Sequence, residues 1–106
     1  MDNAIAQVHF AIVDDELEVS VPPALKPLND FIETEIGTSD VKLDLIEHHL
    51  HHDREWQFSG DSYHLRLSSD RATVKNSYNG ASVSLTRAEL RTLLAELRAL
   101  LVEQYG

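Results

Sequence analysis

The chain has 106 residues, of which 42% are hydrophobic and 25% charged, values that suit a single globular domain and lie above the hydrophobicity at which chains stay disordered. A formal net charge of -9 argues against a phosphate backbone as the main partner, because nucleic-acid binders need clustered Lys and Arg to release counterions. With no cysteine there are no disulfides, thiolate zinc sites or thiol nucleophiles, and a core of this size leaves little room for an internal cavity, so function is expected on the surface of one domain spanning 1–106.

The start, MDNAIAQVHF, lacks the basic and apolar regions of a signal peptide, and no apolar run approaches the roughly 20 residues that span a bilayer. The expectation is a soluble, cytoplasmic protein with no membrane partner. Val8, Phe10 and Ile12 alternate up to an acidic turn at Asp14-Asp15, and Leu17, Val19 and Val21 alternate after it, which predicts a β-hairpin with one buried face. Pro22 and Pro23 end it, since proline cannot donate to a strand ladder.

Leu28, Phe31, Ile32 and Ile36 have helical spacing, Pro27 is tolerated in a first turn and Gly37 suits a C-terminal cap, so a helix is predicted from about Lys26 to Ile36. A second helix follows to about His52, with Ser39 or Asp40 as N-cap and Leu43, Ile46 and Leu50 on one face. The period then changes to two. Trp56 and Phe58, Tyr63 to Leu67, Val74 to Tyr78, and Val83 with Leu85 predict a four-strand meander, with Asn79-Gly80 expected to form the type I′ turn of its last hairpin.

"TRAE" is a capping box in which Glu89 reaches back to the amide of Thr86, and Leu90, Leu93, Leu94, Leu97, Leu100 and Leu101 make the apolar stripe of a C-terminal helix. The predicted order is ββααββββα, an α+β fold with two central helices and a C-terminal helix packed on antiparallel sheet.

Charge is distributed unevenly. Residues 1–53 hold twelve acids against Lys26 and Lys42, whereas residues 54–106 hold six acids against seven bases. Asp40, Asp44 and Glu47 fall at i, i+4 and i+7 along the second helix, where like charges repel by a few tenths of a kcal/mol per pair. Capping and the helix dipole explain Asp40; nothing local explains Asp44 and Glu47. With Asp14, Asp15 and Glu16 in the hairpin turn, and Asp30 and Glu33 expected on the outer side of the first helix, the N-terminal half presents a negative field suited to a basic protein.

The run "LIEHHLHH" places His48 and His52 four apart on one helix face, a spacing at which two neutral imidazoles can chelate zinc or nickel, with His51 or Asp53 able to add a ligand only with help from elsewhere. HExxH is absent, and the simpler expectation is a polar helix end favoured by the dipole, with no metal or other cofactor assigned. His64 is expected to face outward on its strand beside Arg66. No GxSxG, GxGxxG or GxxxxGK occurs, so none of these catalytic or phosphate-cradling loops is present.

The segment "REWQFSGDSYHLRL" resembles the YacL-like family of small acidic bacterial proteins of unknown function, on Arg54, Trp56, Gln57, Gly60, Tyr63 and Leu65. "LNDFIETEIG" and "SVSLTRAELRTLLAEL" are similar in placement, while the stretch from Asn76 to Ser82 is shorter than the family pattern. The resemblance implies no activity.

Small size, missing catalytic motifs and a one-sided acidity together point to a non-enzymatic binding protein. The expected function is an immunity protein that neutralises a basic bacterial toxin, such as a nuclease of a contact-dependent growth inhibition system, by masking its active site. Asp14, Asp15, Glu16, Asp40, Asp44 and Glu47 are the expected contacts. The alternatives are a YacL-like housekeeping protein, or a metal-dependent or acid/base enzyme using His48, His52 and His64.

Overall fold

A computed structural model describes residues 7–52 and 54–105, and its elements follow the predicted order ββααββββα. Asp53, raised above as a metal ligand, and the first six residues lie outside the described part.

Strands β1 (His9–Val13) and β2 (Glu16–Ser20) pair antiparallel, so that Phe10 faces Val19 and Ile12 faces Leu17 on the inward side. Between the paired Val13 and Glu16, Asp14 and Asp15 adopt φ of 52° and 64°, the left-handed pair of a two-residue type I′ turn. Aspartate tolerates this region because its short side chain can bond locally.

The last hairpin of the meander turns differently from expectation. Strands β5 (Arg71–Asn76) and β6 (Ser82–Thr86) are joined by the loop 77–81, closed by Asn76 N donating to Ala81 O at 2.7 Å. Only Gly80, with φ of 76°, is left-handed there; Asn79 is not. The reason is Asn76, whose Oδ1 accepts from the amides of Tyr78 and Asn79 at 2.8 and 2.9 Å, an Asx turn that bends the chain before Asn79-Gly80 is reached. Tyr78, expected in the strand, is consequently 81% exposed.

β3 (Trp56–Ser59), β4 (Tyr63–Leu67), β5 and β6 form an antiparallel sheet in that order, while the hairpin is a separate two-stranded sheet. α1 (Lys26–Phe31) and α3 (Arg87–Tyr105) touch both sheets, and α2 (Asp40–Leu50) packs on α3. Leu28, Phe31, Ile32, Leu43, Ile46, Leu65, Leu67, Val74 and the leucine stripe of α3 make one buried core. No helix among the described residues is long and apolar enough to cross a membrane.

Local signals explain most helix ends. Ser39, not Asp40, caps α2, its Oγ accepting from Lys42 N at 3.3 Å. At α3 the capping box forms in both directions, Thr86 N to Glu89 Oε1 at 2.8 Å and Glu89 N to Thr86 Oγ1 at 3.0 Å. α1 continues into a π-helical turn, Ile32–Ile36, which ends at Gly37 with φ of 56°.

That turn buries a charged residue. Leu28, Phe31, Ile32 and Glu35 follow i, i+3, i+4 and i+7, which puts Glu35, only 5% exposed, on the apolar stripe. Its Oε2 accepts from the amides of Tyr63 and Ser62 at 3.2 and 3.4 Å, tying the helix to the β3–β4 turn. A Cβ at Gly60 would fall on this carboxylate, so any larger residue there must push the Glu35 side chain aside.

Asp30 and Glu33 also turn inward, against the expectation of an outer acidic side. Asp30 Oδ2 accepts from the Tyr63 hydroxyl at 2.8 Å, and Glu33 Oε2 from Val19 N at 3.2 Å. Burial pushes the Tyr63 phenol above its ordinary value near 10, and the charges of Asp30 and Glu35 act in the same direction, opposed by a bond with Asn76.

Candidate functional site

The six acids expected to meet a partner divide into two groups. Asp14, Asp15 and Glu16 are exposed at the tip of the hairpin, and Asp40 is exposed at the start of α2. Asp15, Glu16 and Glu33 line a shallow groove of about 360 Å³ with Leu17, Thr34, Gly37 and Thr38. Thr38 also lines the adjoining cleft, about 390 Å³, together with Asp40, Leu43, Arg98, Leu101, Val102 and Tyr105. The fold thus gathers hairpin-tip and helix-start acids around Thr38, beside two exposed apolar side chains, Val102 and Tyr105.

Asp44 and Glu47 have a structural partner instead. The Arg98 guanidinium of α3 bonds Glu47 Oε1 through Nε at 2.6 Å and again through Nη2, which also reaches Asp44 Oδ1. Bonds to Glu47 and Asp44 hold this arginine above its ordinary value, and Glu47 is left with 18% side-chain exposure against 64% for Asp44. The charge stripe that has no explanation on α2 alone is half of an α2–α3 clamp. Asp44 remains reachable at the edge of the acidic end; Glu47 is largely covered.

The histidine run closes its helix with help from a distant residue. Arg87, the first residue of α3, is 5% exposed, and its guanidinium donates to the carbonyls of His49, Leu50, His52, Arg54 and Ser68. Four of these carbonyls belong to the end of α2 and the segment leading to β3, and the fifth lies in the β4–β5 turn. Carbonyl dipoles at the negative end of a helix offset a buried cation that has no carboxylate partner among the described residues.

Above this cap the rings order themselves. The His49 ring stacks on Trp56, centroids 4.0 Å apart and planes within 9°, and His48 lies 4.5 Å from His52 and 5.1 Å from His49. Burial lowers the His49 pKa below its ordinary 6.5, and charge on His48 and His52 lowers it further. His52 Nδ1 bonds the carbonyl of His48 at 2.7 Å. No group of three His, Asp or Glu side chains converges as a metal cage among the described residues.

His64 faces outward on β4, its Nδ1 2.9 Å from Ser59 Oγ on the neighbouring strand. Arg66, Arg71 and Lys75 stand exposed on the meander, Arg71 donating to Ser84 Oγ from Nε and Nη2 at 3.3 and 3.2 Å. No ring contact or hydrogen bond joins His64 to His48 or His52 among the described residues.

Four of the six residues that carry the resemblance have framework tasks, while Arg54 and Gln57 are exposed. Trp56 stacks on His49, Gly60 makes room for Glu35, Tyr63 reaches Asp30, and Leu65 is fully buried. Sequence reasoning missed Glu35, Arg87 and Arg98, as well as Thr38, Val102 and Tyr105 at the acidic end. A local signal existed for Arg87, since a cation in a helix's first turn opposes the dipole and calls for another partner. No family model, curated protein or solved structure matches this chain.

Proposed function

We propose that this chain is a non-enzymatic inhibitor that docks its acidic end on the positively charged active site of a protein toxin, in the manner of a bacterial immunity protein. The toxin class that fits is a nuclease of a contact-dependent system, because an enzyme acting on a polyphosphate backbone must present a basic groove. The observation that carries the reading is the convergence of the exposed Asp15, Glu16 and Asp40 on the two clefts that share Thr38.

Such a surface combines the two ingredients of a tight inhibitor. A negative field raises the encounter rate and orients the partner, and desolvated aromatic anchors supply most of the residence time. Asp14, Asp15, Glu16 and Asp40 are the steering charges, with Asp44 at their margin; Tyr105 and Val102 are the anchors. Cytoplasmic action follows from the proposal, since a delivered nuclease is neutralised where its substrate lies.

The test is co-expression with the protein encoded by the adjacent reading frame. The proposal expects that neighbour to be a basic protein, toxic alone and harmless when this chain is present. A neighbour without toxicity, or toxicity that this chain does not relieve, overturns it.

A further inference from the structure

The geometry points to a metal site at the other end of α2, where His48 and His52 form an open two-imidazole chelate for a borderline divalent ion such as Cu²⁺, Ni²⁺ or Zn²⁺. The spacing of four residues sets both side chains on one helix face, both are exposed, and their ring centroids are 4.5 Å apart.

Tautomer decides whether a histidine can ligate. The His48 carbonyl can only accept, so the 2.7 Å bond makes His52 Nδ1 the protonated nitrogen and leaves Nε2 with its lone pair when the ring is neutral. A ring nitrogen anchored on a carbonyl while the other stays free is the arrangement that orients metal-ligating histidines and raises their basicity. The hydrogen bond requires the helix end to hold its shape, and Arg87 does this by binding the carbonyls of His49, Leu50 and His52.

The neighbouring groups define what the site is. His49 is committed to its stack on Trp56 and is not a third ligand. Asp44, one turn before His48, is bound to Arg98, and the Arg87 cation lies beneath the His52 carbonyl. With two protein ligands among the described residues, the remaining coordination positions are left to water or to a donor from another molecule, and imidazole ligation selects against Ca²⁺ and Mg²⁺. Asp40 is eight residues away, about 12 Å along the helix axis, so this site and the acidic end stand or fall separately.

Calorimetric titration of the purified chain at pH 7.5 with each ion tests the site. The expected order is Cu²⁺ tighter than Ni²⁺ and Zn²⁺, with no heat from Ca²⁺ or Mg²⁺, and affinity lower by about tenfold or more in both His48→Ala and His52→Ala while His51→Ala and His64→Ala stay within about twofold of the parent. Circular dichroism checks that these exposed variants fold. Long-range nitrogen–proton NMR supplies a second readout without metal: neutral His52 carries its proton on Nδ1. Binding that survives either alanine, losses equal in all four variants, or a His52 proton on Nε2 overturns the assignment.

Discussion

Replacing Arg87 by methionine keeps most of the side-chain volume and removes every donor from the cap. Five backbone carbonyls accept from this guanidinium, and the bond to Leu50 is fully buried. A hydrogen bond to a charged group contributes about 1.5–3 kcal/mol net, and water can replace those that open to the surface. Counting two bonds as irreplaceable gives a loss of about 3–6 kcal/mol, a large part of the roughly 5–15 kcal/mol that stabilises a domain. Urea unfolding monitored at Trp56 measures it: a slope near 1.5–2 kcal/mol/M turns that loss into a midpoint shift of roughly 1.5–4 M. Arg87→Lys, which keeps the charge but offers a compact head, should recover less than half of the loss. Arg87→Met within about 1 kcal/mol of the parent would refute the view that this side chain closes α2.

Gly60→Ala should cost about 1–3 kcal/mol by forcing Glu35 aside, and much less in a Glu35→Ala background, so a double-mutant cycle reads their coupling. Exchanging Asp44 and Glu47 together for lysine should destabilise the fold, since it sets two cations against Arg98; an unchanged or raised melting temperature would contradict the clamp. His49, depressed in the fold, contributes stability above pH 6.5 that is lost as pH falls through its folded value, so the fluorescence of Trp56, the single tryptophan, should titrate below 6.5 and not respond in His49→Gln. Tyr63, raised in the fold, contributes stability that is lost as pH climbs above 10, a loss that Tyr63→Phe should remove.

Where the sequence speaks locally it was legible. The capping box of α3 lies within four residues and forms as written, and the alternation of the hairpin and meander strands maps onto their buried faces. Asn79-Gly80 misled because an equally local device, the Asn76 side chain, acts first. Glu35 was hidden for a different reason: its partners Ser62 and Tyr63 are 27 and 28 residues away, and a carboxylate on an apolar stripe has no meaning until the β3–β4 turn arrives over it. Arg98 likewise answers Asp44 and Glu47 from more than fifty residues downstream. At the acidic end, individual charges were visible, but their meeting at Thr38 depends on how the hairpin tip packs beside the start of α2.

The proposed inhibitory surface is tested most directly by the association rate with the basic protein that the proposal expects the adjacent reading frame to encode. Asp14 and Asp15 occupy left-handed positions that asparagine also tolerates, so Asp14→Asn, Asp15→Asn, Glu16→Gln and Asp40→Asn combined remove four charges without straining the turn. The combination should slow association by about tenfold or more at low salt and flatten its salt dependence between about 50 and 300 mM, while Asp61→Asn with Asp70→Asn, on the meander turns, should leave the rate nearly unchanged. Equal slowing from both sets, or a parent rate indifferent to salt, would contradict docking through the acidic end.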